Sequence, residues 1–228
     1  MKTTRLNATL LVLLAAGLFL APAIARAQAG GSGAGMKPVP ELSATYGSMW
    51  GGHIDTSSGT LRAGTGGSWG VALDIPIMYV KTVELSYTRQ SGSIDLDRGG
   101  ITTLSDMSVN YWHIGGLQAF PRGPVVPFVI GGLGATYYSP SKKSATIGGT
   151  TYSLESTTKF SLEFGLGFKS YFGAAKRVGV RASFKVLPTF FNTSGGMWVG
   201  TGGGGVSFSG SSIWQYEAAG GLTLRLGR

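Results

Sequence analysis

Two histidines and no cysteine set narrow limits on the chemistry open to this 228-residue chain. His53 is followed by Asp55, Thr56, Ser57 and Ser58, groups able to bind a metal ion or supply a nucleophile. No second His or Cys completes a ligand spacing, so the cluster reads as a solvated loop. His113 shares its parity with Met107, Val109, Tyr111 and Leu117, and strict alternation turns it outward with them. The nearest serine of that parity, Ser105, is too distant along the strand to hydrogen-bond to it as a nucleophile. The glycine run Gly202 to Gly205 has neither the lysine of a phosphate loop nor a following helix, so no nucleotide site is expected. We expect no catalytic residue, metal ligand or cofactor.

What must position the remaining polar groups is a set of strands. Lys2 and Arg5 precede an apolar run from Leu10 to Leu20, too short to span a bilayer as a helix, and Ala25-Arg26-Ala27 and Ala27-Gln28-Ala29 follow as small-residue cleavage sites. Residues 1–27 therefore read as a signal peptide, cleaved after Ala27 or Ala29, and 28–40 as a flexible leader. Removing Lys2, Arg5 and Arg26 lowers the formal charge from +9 to +6, with no Lys/Arg cluster that suggests nucleic acid. Glycine is abundant at 39 residues, yet aromatic and β-branched residues lie between the glycines, as in short strands joined by Gly/Ser turns.

Period-2 alternation marks eight segments. From Thr158 to Phe172, one face carries Phe160, Leu162, Phe164, Leu166, Phe168 and Phe172, and the other Lys159, Ser161, Glu163, Gly165, Gly167 and Lys169. Segments from Val178, from Val80 to Gln90 and from Trp214 repeat the pattern, and Leu42 to Trp50, Trp69 to Ile77, Met107 to Phe120 and Val125 to Tyr138 show it less strictly. Short connections (Pro76–Tyr79, Pro121–Pro124, Gly173–Ala175) alternate with long ones (His53–Thr65, Ser91–Thr103, Ser139–Ser156, Asn192–Ser211). Short periplasmic turns alternating with long extracellular loops predict an all-β fold over 41–228: an eight-stranded antiparallel up-and-down transmembrane β-barrel of the outer membrane. Pro127 and Pro188, inside proposed strands, predict a bulge or a strand end. A soluble secreted β-sandwich, the structural alternative, would have to expose the phenylalanine face or bury a charged one.

Eight strands enclose a lumen that side chains fill. Glu84, Glu163 and Glu217 are expected to share it with Arg181, Lys185 and Arg225 as a sealed, stabilising charge network, with Glu163 touching Lys185 across the turn near Ala174. Trp50, Trp69, Tyr79, Trp112, Tyr137, Tyr138, Tyr171 and Trp214 read as interface girdles. Trp198, beside Met197 in the last long connection, is the candidate for contact with an unidentified loop ligand.

The stretch YWHIGGLQAFPRGPVVPFVIGGLGATYY from Tyr111, with FGLGFKSYFG from Phe164 and WQYEAAGGLTLRLG from Trp214, resembles the small eight-stranded outer-membrane β-barrel family, OmpA/OmpX-like and opacity-type. The resemblance implies a monomer embedded among outer-membrane lipids, inserted by the outer-membrane assembly machinery, and acting in envelope integrity or surface interaction through its loops. Family members commonly finish on an aromatic residue, whereas here Gly227 and Arg228 follow the alternating Leu222, Leu224 and Leu226. Some eight-stranded barrels are lipid A deacylases with a serine two residues after the histidine; Gly115 holds that position after His113. A lipid A-modifying enzyme built around His113, and a narrow channel or carrier for small apolar molecules, are the alternative functions.

Overall fold

The computed structural model describes residues 38–56, 59–97, 101–121, 123–142, 144–147, 150–153, 156–200 and 203–227; for part of these, including 54–63 and 192–211, only the backbone is described. The signal peptide and most of the leader lie outside the described residues. Twelve strands run in chain order: β1 Glu41–Trp50, β2 His53–Thr56, β3 Gly59–Ala63, β4 Gly66–Met78, β5 Lys81–Asp97, β6 Ile101–Ala119, β7 Val125–Pro140, β8 Ser144–Ile147, β9 Thr150–Ser153, β10 Thr157–Phe172, β11 Val178–Gly200 and β12 Gly203–Arg225.

Eight of them close a ring in the order β1, β4, β5, β6, β7, β10, β11, β12, every pair antiparallel. Closure joins β12 to β1, with Glu41 opposite Arg225 and Trp50 opposite Tyr216, so no edge is left among these strands. The strands are staggered as closure requires. A path straight across the pairing from Ser43 passes Ala72, Ser86, His113, Gly134, Ser161, Thr189 and Ile213, which lies beyond the last β1–β12 rung at Trp50 and Tyr216, so one circuit of the barrel climbs past the end of β1. This stagger sets which inward side chains meet across the lumen.

Connections at one end are tight turns. Gly173 takes φ 73°, a left-handed value open to a residue without a Cβ, and Lys176 N–H donates to its carbonyl at 3.1 Å. At the other end, the segments expected as long loops contain extended strand. β2 and β3 form a hairpin whose second strand pairs with β5, β8 pairs with β9, and β11 and β12 stay paired to Gly200 and Gly203. Gly and Ser in these segments read as loop because they rarely choose a strand alone; a partner backbone that satisfies every N–H and C=O decides otherwise. Met197 thus lies opposite Val206 and Trp198 opposite Gly205 within the β11–β12 pair, not in a loop, and their side chains lie outside the described residues.

Pro127 sits at a strand end, as expected: it is the third residue of β7, one past the last β6–β7 rung at Phe128, and pairs in register with Phe168 on the other side. Pro188 makes neither a bulge nor a strand end. At Pro188 the β10–β11 ladder skips from Ser161↔Thr189 to Phe164↔Val186 and resumes in the same register. The missing donor costs rungs, not alignment.

Candidate functional site

The inward face of the barrel is stratified. Nearest the tight turns lies a chain of charges. Lys169 Nζ stands 2.8 Å from Glu41 Oε2 and 2.5 Å from Asp74 Oδ2; Arg181 reaches Asp74 at 3.5 Å and Glu84 Oε2 at 2.7 Å. Arg225 Nε is 3.4 Å from Glu41, and Tyr171 donates to both oxygens of that carboxylate. The Phe128 ring lies beneath the cations, 4.8 Å from Arg181 Cζ and 5.7 Å from Lys169 Nζ. Arg181 and Glu84 are almost wholly buried, so each charge stands in low dielectric only because the other is there.

The next stratum holds Glu163, Lys185, Glu217 and His113. Lys185 Nζ lies 2.6 Å from Glu163 Oε1, while Ser86 donates to the other oxygen at 3.1 Å and Ser68 donates to Glu217 Oε1 at 2.8 Å. All six residues named from the sequence face inward, but not as one network: Glu41, Asp74 and Lys169 link Arg225, Arg181 and Glu84 into a chain, while Lys185 and Glu163 form a separate pair and Glu217 accepts from Ser68. Lys169 shares the polar parity of Glu163 on β10. Asp74 could have been found by parity, since it alternates with the lipid-like Leu73 and Ile75.

His113 faces the lumen, not outward. Its buried neighbours on β6, Met107, Val109, Tyr111 and Leu117, are apolar or aromatic yet also inside, while Trp112 and Ile114 are 60% and 51% exposed. Polarity inverted the reading, because this strand supplies the lumen's apolar material. His113 Nε2 is 3.0 Å from Ser161 Oγ and Nδ1 is 3.7 Å from Glu163 Oε2, the connectivity of a hydrolase relay. Ser161 and Glu163 are buried, at 0% and 1% exposure.

Above this stratum, Tyr111 donates to Gln215 Oε1, and Gln215 Nε2 donates to Gln90 Oε1 at 2.7 Å, a bridge across the lumen. Thr136 and Thr189 hydroxyls meet at 3.1 Å. The last stratum is apolar: Met49, Met107, Val109, Tyr111, Tyr138 and Leu187 pack together, with Phe191 against them. Tyr138 and Tyr171, expected in a girdle, are inward residues of the upper and lower strata respectively.

The outward face is apolar. Leu42, Val71, Ile75, Leu85, Ile114, Leu133, Leu166, Phe168, Leu222 and Leu224 are each at least 41% exposed. Toward the strand-extension end, outward residues become aromatic and then polar within one alternation: Trp112 then Asn110, Tyr137 then Ser139, Phe160 then Thr158, Trp214 then Ser212. With a rise of about 3.3 Å per residue and a tilt of about 40°, the apolar span covers roughly 20 Å on β4 (Trp69 to Ile77) and roughly 25 Å on β12 (Trp214 to Leu224), close to the height of a membrane barrel's band.

His53 is exposed at the start of β2; Ser57 and Ser58 lie outside the described residues. Gly203, Gly204 and Gly205 pair in β12 with Gly200, Val199 and Trp198. Among the described residues no group of three His, Cys, Asp or Glu side chains is placed to hold a metal ion.

A closed eight-stranded antiparallel barrel, apolar outside and charged within, is the fold of the small outer-membrane β-barrels. The outer membrane protein OprG from Pseudomonas aeruginosa is similar over 84% of this chain and 99% of its own, with a TM-score of 0.56 and 13% identity. Neisserial surface protein A is similar over 82% and 97%, with a TM-score of 0.53 and 13% identity. The outer membrane protein AlkL, as determined in lipid bilayers, is similar over 87% and 96%, with a TM-score of 0.53 and 12% identity. No protein-family model and no curated protein sequence matches the chain.

Proposed function

We propose that the chain is a non-enzymatic outer-membrane protein, exported by a signal peptide over residues 1–27, that serves envelope integrity or surface interaction as a sealed barrel. One observation carries this reading: the lumen is closed twice, by paired charges near the turns and by packed apolar side chains near the strand extensions. A barrel built to conduct leaves an aqueous path between such layers; side chains fill this one. Arg181 and Glu84, which would line such a path, are 2% and 1% exposed. The apolar outer belt supports a membrane setting, in which barrel and lipids meet without a partner chain, as a monomer placed by the outer-membrane assembly machinery. The paired strands at the far end, including the β11–β12 extension that bears Met197 and Trp198, are the surface offered to partners.

The test is paired. In detergent, the folded protein is expected to run at a different gel mobility before and after boiling, and reconstituted in planar bilayers it is expected to give no steady conductance. One mobility, with the native protein in the soluble periplasmic fraction, sinks the membrane reading. Stable conductance steps from a heat-shifting sample sink the sealed-lumen reading alone.

A further inference from the structure

Every cation in the lumen's charged strata is matched by a carboxylate, which makes one outward cation stand apart. Arg89 lies on β5, exposed, on the face that carries Tyr87, Leu85 and Val83 below it. Its partners across the sheet are Trp69 on β4 and Asn110 on β6. Among the described residues it has no carboxylate partner; its guanidinium donates one hydrogen bond, at 3.1 Å, to Ser108 Oγ.

The surroundings fix the level at which this cation sits. Trp69, Tyr87 and Trp112 form a continuous ledge, with ring centroids 5.4 Å and 4.3 Å apart, on the outward face of three neighbouring strands. Below the ledge outward residues are apolar; above it they are Ser91, Ser93, Ser108 and Ser139. Arg89 therefore stands where hydrocarbon gives way to headgroups, the depth at which amphipathic rings settle. The Tyr87 hydroxyl donates to Asn110 Oδ1 at 2.9 Å, which holds the carbonyl side of that amide and leaves its NH2 group as a donor beside the guanidinium. Arg89, Asn110, Ser91 and Ser108 thus present a donor-rich patch of net positive charge over an aromatic shelf. Acids lie only beyond these residues, toward the strand-extension end: Asp106 is opposite Ser93 and two residues before Ser108 on β6, and Asp95 accepts from Ser93 at 3.2 Å.

We propose that this patch binds the phosphate of an anionic lipid headgroup in the leaflet facing the strand extensions, with the acyl chains lying along the ledge. The inference rests on the membrane reading above. In the outer membrane that leaflet offers phosphorylated glycolipid. A guanidinium fork matches phosphate geometry in two parallel hydrogen bonds, and it is worth more here than in water because the shelf excludes solvent on one side.

The experiment uses the full chain refolded into phosphatidylcholine vesicles, with the heat-dependent gel shift as a check on insertion. Diphosphoryl lipid A, and the same lipid with its phosphates removed, are titrated separately while retained lipid is measured by native mass spectrometry. Wild type is expected to retain the phosphorylated form, Arg89→Gln to bind it about tenfold less tightly, and Arg89→Lys to fall between. Inorganic phosphate alone is expected to displace little. Equal retention by wild type and Arg89→Gln in inserted barrels, or equal retention of the phosphate-free lipid, overturns this proposal and leaves the membrane reading intact. Failure of wild type to insert overturns both.

Discussion

Lys185 contacts Glu163 at 2.6 Å although the residue opposite it on β10 is Gly165. The ammonium crosses two residues diagonally, over a position with no side chain to block it. A Cβ on Gly165 would lie 3.1 Å from Lys185 Cγ and 2.9 Å from Ile130 Cγ2, so the diagonal depends on glycine there.

Removing either end of this pair strands the other in the lumen. Glu163→Gln and Lys185→Met are each expected to destabilise the barrel by about 2–4 kcal/mol, and the double variant by less than their sum. Urea unfolding in lipid vesicles, read by tryptophan fluorescence, gives the cycle. Additive losses would show that the two charges do not sense one another.

Arg181 holds two carboxylates, Asp74 and Glu84, at 1% side-chain exposure. Arg181→Met is expected to cost about 3–5 kcal/mol, and adding Glu84→Gln to recover part of it, because one uncompensated charge is then gone. No recovery in the double variant would point to lost packing on Phe128 as the cause.

Gly167 faces the lumen with its hypothetical Cβ 2.5 Å from Phe128 Cζ and against the backbone of Ala182. Gly167→Ala is expected to lose about 1–3 kcal/mol through overpacking. Gly220→Ala, whose Cβ would meet only the Arg181 carbonyl at 3.9 Å, is the tolerated control. Equal melting temperatures for the two variants would refute a tightly filled lumen.

The Ser161–His113–Glu163 relay is expected to be chemically silent. A fluorophosphonate probe should leave Ser161 unlabelled in the folded barrel, and Ser161→Ala should leave bound lipid unchanged in mass. Covalent labelling of Ser161 would reopen the enzyme reading, since it would demonstrate an approach to the hydroxyl.

Strand number and lumen-facing parity were legible wherever one face was uniformly apolar, as from Phe160 to Phe172. Parity failed on β6, where Met107, Val109 and Tyr111 are apolar and inward, and His113 was turned the wrong way with them. Alternation reports contrast between faces; it does not report which face is inside when both are apolar. Asp74 carried a parity signal beside Leu73 and Ile75 but, like Glu41, no partner near it in sequence: the role of each arises from Lys169, 95 and 128 residues away along the chain. The outward Arg89 carried no pattern signal, because its meaning comes from neighbours on β4 and β6.

The two closures of the lumen differ in kind, and that has a bearing on leakage. Extreme pH, which neutralises one partner of each pair, acts on the ionic stratum and not on the Met49–Leu187 cluster, whereas agents that solvate apolar groups act on that cluster. For a small ion to cross, both must fluctuate open together, so the chance of passage is the product of two small probabilities and not the larger of them. A cell carrying many copies would remain tight through a disturbance that disables either barrier.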